Sequence, residues 1–214
     1  MPCPNLNLRC DFARAVVAAL AVAALVACST GSQQRGQAIS RAIAPASEEM
    51  RSCTETVYNS AEFGPAKRRL PLDYALATLE QETSPGMAND LEIAAVLQAH
   101  PKLQACRKAF LDRVGEAAPS LVSIHATVMA LSEGSLAEVL QKKKSWGDHV
   151  RDVKEMTRRV KLDIDDETKK VADGLSQEPK AVQARQQAND KALALYMQME
   201  KSFGAIRRPV FITK

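Results

Sequence analysis

Apolar residues are distributed along this chain in two ways. From Ala15 to Ala27 thirteen consecutive residues are apolar and uncharged, whereas beyond Pro45 the apolar positions recur three and four residues apart. The first pattern, led by Arg9 and Arg14, is the profile of an export signal. It is shorter than the roughly 20 residues, at about 1.5 Å each, that cross some 30 Å of hydrocarbon. The second pattern is that of amphipathic helices. Between the two, Ser29 to Pro45 is mostly Ser, Gln, Gly and Ala, with only Ile39 and Ile43 as large apolar side chains. That composition predicts a flexible tether over residues 28–46, with one helical turn at most around the two isoleucines.

Start and stop signals divide the remainder. Ser47, with Glu48 and Glu49 behind it, predicts the start of a helix through Met50, Cys53, Val57 and Ala61, ended by Gly64-Pro65. A basic loop and a short helix through Leu72, Leu76 and Leu79 follow, then a break at Ser84-Pro85-Gly86. Asn89 or Asp90 caps the next helix. His100-Pro101 predicts its interruption, because a residue before proline is pushed out of the helical region. The pattern resumes at Leu103, Cys106, Phe110 and Val114 and runs on through Leu121, Ile124, Val128 and Leu131, with Pro119 either kinking one helix or separating two. Ser132-Glu133-Gly134-Ser135 predicts a stop, and a short helix from Leu136 to Lys143 leads to Ser145-Trp146-Gly147-Asp148.

Ser145 with Asp148 three residues on reads as a capping-box-like start. The helix behind it spans about 30 residues, with Trp146, Val150, Val153, Thr157, Val160, Ile164, Val171 and Leu175 along one seam that Glu167 interrupts. Pro179 opens the last helix, whose seam of Val182, Gln186, Asn189, Leu193, Tyr196, Met199 and Phe203 is polar in its first half. Residues 205–214, ending in Val210-Phe211-Ile212, predict an extended tail. The expected fold is all-α: an antiparallel helical bundle over 47–204, its two longest helices paired as a hairpin around Pro179. Composition agrees, since only 4% of residues are aromatic and strong helix formers dominate.

The end of the apolar run carries the most specific motif. Leu25-Val26-Ala27-Cys28 resembles the lipobox of bacterial lipoprotein precursors: an aliphatic residue, two smaller residues and a cysteine. The resemblance covers residues 1–28 only. It implies that a diacylglyceryl group is attached to the Cys28 sulfur, that cleavage falls between Ala27 and Cys28, and that the mature chain is held in a membrane by its acyl chains. Ser29 after the cysteine, where an Asp would favour inner-membrane retention, implies the periplasmic face of the outer membrane. About 187 residues remain after cleavage, enough for one domain with a core.

Charge and cysteine content follow from that placement. The chain carries a formal +4, of which Arg9, Arg14 and Asp11 in the leader contribute +1, leaving about +3. Lys67-Arg68-Arg69, Lys142-Lys143-Lys144 and the other basic runs have acids nearby and predict solvated mixed-charge faces; contact with anionic headgroups or cell-wall polymer is the alternative. Nucleic acid is not an expected partner, because an exported protein does not meet it and no reading motif is present. Cys3 and Cys10 leave with the leader and Cys28 is acylated, so Cys53 and Cys106 remain. In an oxidising compartment two thiols can pair, closing a loop of about 54 residues worth about 4 kcal/mol in the chain-entropy model. The alternative is two small buried apolar residues.

Candidate chemistry is sparse. His100, His125 and His149 stand in separate elements without metal-ligand spacing and read as ordinary surface or interface histidines. Asp163, Asp165, Asp166 and Glu167 splay around a helix beside Lys161, Lys169 and Lys170, so they predict a charged face rather than a metal site. No serine lies in a nucleophile motif and no phosphate-binding loop occurs. No cofactor, metal or catalytic residue is therefore expected. The expected function is that of a structural or assembly factor of the envelope that meets a protein partner through its bundle. The alternative is a periplasmic binding module that holds a small ligand or lipid between helices, with Gln186 and Asn189 as its polar seam.

Overall fold

The computed structural model describes residues 34–174 and 179–206. The apolar run, Cys28 and the Val210-Phe211-Ile212 tail lie outside the described residues. The fold is all-α, with no strand among the described residues. In chain order it comprises α1 over 34–58, α2 Leu79–Thr83, α3 Asp90–Ala117, α4 Val122–Leu140, α5 Trp146–Ala172 and α6 Pro179–Ile206. Short 3-10 turns stand at Ala61–Phe63, Tyr74–Leu76 and Pro119–Leu121.

The described part of the expected tether, 34–46, is helical and continuous with the helix expected from Ser47. Ile39, Ile43, Ala46 and Met50, spaced four, three and four apart, pack with Phe110, Leu111 and Val114 of α3. Burial of that stripe supplies what composition does not. Ser47 is no cap; its Oγ bonds back to the Ile43 carbonyl at 3.2 Å. Cys53 of α1 and Cys106 of α3 are joined, with Cα atoms 5.8 Å apart, within the ordinary disulfide range.

Two expected breaks are absent. α3 runs through Pro101. The proline is exposed, while Val96 and Ala99 before it and Cys106 after it are buried on the opposite side and hold both halves in line. α4 likewise runs through Gly134, because that glycine is where α6 comes close: a methyl group there would stand 3.2 Å from Met199 Cε. Pro119 does separate two helices. Asn89, rather than Asp90, caps α3 in a full capping box with Glu92.

The expected α5–α6 hairpin is also revised. Both helices pack along α4 and meet each other only at a few points, the Arg185–Glu167 pair among them. An apolar groove of about 650 Å³ lies between them, with Ile124, Val128 and Leu131 of α4 as its floor and Val160 and Leu195 among its walls. Two core clusters result. One gathers Phe63, Leu70, Val96, Val139, Leu140 and Phe203 around Trp146. The other gathers α1 and α6 against Phe110, Val114, Leu121 and Met129.

Candidate functional site

The Ser145-Trp146-Gly147-Asp148 turn forms a knot at one pole of the bundle. Ser145 Oγ accepts from the Asp148 backbone N–H at 3.1 Å and donates to its carboxylate at 2.6 Å. This is the cap expected from sequence. The Trp146 ring is fully buried, and its Nε1–H donates to Glu92 Oε2 at 3.1 Å. The same carboxylate accepts from Arg69 Nε at 2.9 Å and from the Asn89 backbone. The pull of Arg69 and these hydrogen bonds outweighs burial and holds Glu92 below the usual carboxylate range. Gly147 lets the chain at 82–86 lie on the start of α5, where Trp146 N–H donates to Gly86 O and Gly147 N–H to Ser84 O, both at 3.0 Å.

Behind the knot a line of polar side chains runs through the core. His100 Nε2 donates to Glu133 Oε2 at 2.6 Å and lies 3.0 Å from Gln104 Nε2. The imidazole stacks on Phe203 with centroids 3.9 Å apart. Arg107 pairs with the other oxygen of Glu133, and the Tyr196 hydroxyl donates to Gln104 Oε1. Burial lowers the Arg107 pKa, opposed by Tyr196 and Tyr74, and raises that of Tyr196.

Tyr74 carries the line onward. Its hydroxyl is 3.1 Å from His149 Nε2, and His149 Nδ1 is 3.0 Å from Ser135 Oγ. Lys144 Nζ reaches Ser135 Oγ at 3.2 Å, Asp152 at 2.8 Å and Glu138 at 2.6 Å. Burial, with Lys144 and Arg107 adding repulsion, pushes the His149 imidazole down to about 3, and burial pushes the Tyr74 phenol up to about 12. The His149 ring is therefore neutral and the phenol protonated at pH 7.

A serine 3.0 Å from a neutral imidazole is an arrangement that activates a nucleophile. Here it is sealed. Ser135 is 5% exposed and His149 not at all, and neither lines the α4–α5–α6 groove, the α3–α6 groove or the two smaller clefts. What this arrangement does chemically is to satisfy buried polar groups and fix the register of α3, α4, α5 and α6.

The structure thus corrects the reading of the histidines as ordinary surface or interface residues. His100 and His149 are core residues, and His125 packs edge-on against Phe110 at 4.9 Å, its pKa pushed down to about 4 by burial. Lys144, read as part of a solvated run, is mostly buried. Asp163, Asp165 and Asp166 are exposed, and Lys170 pairs with Asp166 and Arg185 with Glu167. No cluster of His, Cys, Asp or Glu among the described residues could hold a metal ion. Gln186 and Asn189 form no ligand seam: Gln186 bonds to Asp190 on its own helix, and Asn189 holds the start of α4.

Glu133, Gln104, Arg107, Ser135, Tyr74 and Tyr196 were not anticipated as site residues. One signal was present. His100, Gln104 and Arg107 fall at i, i+4 and i+7 on the face that also carries Val96, Ala99 and Cys106, and Glu133 sits between Ala130 and Ala137 on the apolar face of α4.

Two open features remain on the surface. A groove of about 590 Å³ between α3 and α6 reaches His100, Gln104 and Tyr196 at its base, with Leu111, Leu193 and Met197 on its walls. At the Trp146 pole, Leu76 and Leu79 are 78% and 77% exposed. Among the described residues no helix is long and apolar enough to cross a membrane. The chain matches no family model, no curated protein and no solved structure.

Proposed function

We propose that this chain is a lipid-anchored protein of the bacterial envelope, acylated at Cys28, whose helical bundle serves as a structural or assembly factor for a protein partner. The observation that carries the reading is the apolar run Ala15–Ala27 ending in Leu25-Val26-Ala27-Cys28. The joined Cys53 and Cys106 are an independent support, because disulfides persist in oxidising compartments such as the periplasm. The sealed Ser135–His149 pair supports a scaffold in preference to a catalyst, and Ser29 favours the outer membrane.

The test is the intact mass of the protein extracted from membranes, beside a Cys28→Ala variant. A chain beginning at Cys28 and carrying acyl groups, with membrane association lost in the variant, is expected. A chain that retains residues 1–27 in the soluble fraction would overturn the reading.

The α3–α6 groove favours a second reading, a carrier of a small ligand, because apolar walls over a few convergent polar groups are the usual form of such sites. Light scattering across a concentration series separates the two. A scaffold gives higher-order assemblies or a captured partner, and a carrier gives a monomer that copurifies with ligand.

A further inference from the structure

Only five residues separate Cys28 from Gln34, the first described residue of α1. However that segment is arranged, it spans no more than about 20 Å from Cys28 to Gln34. The expected tether would have let the body stand far from its anchor; a helix that already includes residue 34 does not. The start of α1 lies at one definite pole of the bundle. A methyl group on Gly36 would be 3.7 Å from Thr168 Cγ2 and 4.0 Å from Ala172 Cβ, so α1 begins beside the end of α5. α6 begins at the same pole, five residues after Gly174. The Trp146 knot is at the other end of α5, 27 residues and therefore about 40 Å away.

The two poles differ in how their charges are used. At the Trp146 pole most cations are engaged, Arg69 with Glu92, Lys142 with Asp90, Lys144 with Glu138 and Asp152, and Lys154 with Glu82, which leaves Arg68 and Lys143 exposed without an ion pair among the described residues. At the α1 pole Arg35, Arg41, Lys169 and Lys180 are exposed and make no ion pair among the described residues, whereas the adjacent Lys170 pairs with Asp166 and Arg185 with Glu167, and one exposed acid, Asp165, shares a cleft with Arg41 and Lys169. Anionic headgroups attract cations held close to the surface.

Resting on the lipoprotein reading above, we infer that the pole formed by the starts of α1 and α6 and the end of α5 faces the bilayer. Its unpaired cations contact anionic headgroups, and the Trp146 pole with exposed Leu76 and Leu79 points away from the membrane.

The chain's single tryptophan makes this measurable. The acylated protein is reconstituted into phosphatidylethanolamine–phosphatidylglycerol vesicles containing a dansyl-headgroup lipid, and energy transfer from tryptophan is read. Flotation with the vesicles, lost in Cys28→Ala, is checked first; a protein that floats equally without Cys28, or not at all, removes the lipoprotein reading and this inference with it. Among proteins that float, Trp146 is expected to transfer little. Adding Ser40→Trp at the exposed α1 site, with Trp146 retained, is expected to raise transfer at least threefold. Transfer from Trp146 alone equal to that from the added tryptophan would overturn the orientation. The combined variant Arg35→Gln, Arg41→Gln, Lys180→Gln is expected to narrow that difference, as is 0.5 M salt. A difference that survives both would overturn the headgroup contact.

Discussion

The two ends of α5 lie on one helix with one apolar seam, broken only by Glu167, yet they behave as different materials. Over its first two turns Trp146, Gly147, His149, Val150 and Val153 are buried, and their polar neighbours are tied across to α2, α3 and α4. Beyond Glu155 the same seam is only half-covered. Its charges pair along the helix itself, Arg158 and Arg159 with Glu155 and Lys170 with Asp166. The two arginines hold the exposed Glu155 carboxyl down to about 2. A repeating stripe of apolar residues therefore specifies which side faces inward but not how much is buried there. Depth is set by what arrives from elsewhere in the chain, at one end a knot of four elements and at the other an open groove whose walls do not close over its floor.

The sharpest way to break this contrast is Trp146→Ala. Removing a fully buried indole and leaving Glu92 without its donor is expected to cost about 3–5 kcal/mol, read from the urea midpoint. Glu133→Gln comes next, at roughly 3 kcal/mol, because it leaves Arg107 and His100 facing a neutral amide inside the core. Gly147→Ala would put a Cβ 2.6–2.8 Å from backbone atoms of Glu82 and Ser84. About 1–3 kcal/mol is expected, together with increased proteolysis around 82–86.

The buried histidines also predict acid sensitivity. His149 and His125 titrate at about 3 and 4 in the folded protein and near 6.5 unfolded. Depressed imidazole values mean that the unfolded chain binds more protons, so their contribution is intact above pH 6.5 and is lost as pH falls toward 3. The slope is on the order of 1.4 kcal/mol per pH unit for each ring. Urea midpoints at pH 7, 6 and 5 check this, and His149→Asn should flatten the slope. The smallest effect belongs to the open end: Leu162→Gln, at a residue 58% exposed, should change stability by no more than about 0.5 kcal/mol. A larger loss there would mean that this exposed face of α5 is covered in solution.

Local signals in the sequence carried much of the architecture. The Ser145 cap, the Asn89 start, the Pro119 division and the Cys53–Cys106 pairing all rest on chemistry within a few residues or on simple counting. What was not legible depended on distant partners. Residues 34–46 look like linker until Phe110 and Val114 are placed beside Ile39 and Ile43. Gly134 looks like a stop until Met199 arrives. Glu133 and His100 look like surface residues because each is polar alone; together with Arg107 they form a buried unit that no window on either helix contains. The candidate site was for that reason the least legible part.

One further contact bears on how such a chain is made. α4 starts at Val122 with Leu121 before it, which offers no side-chain cap. The missing groups come from α6, where Asn189 Oδ1 accepts from Ser123 N–H at 3.1 Å and Asn189 Nδ2 donates to Pro119 O at 3.0 Å. The central helix is thus finished by a residue synthesised 66 positions later. A nascent chain emerging amino terminus first has α4 present but its first turn unfastened until α6 follows.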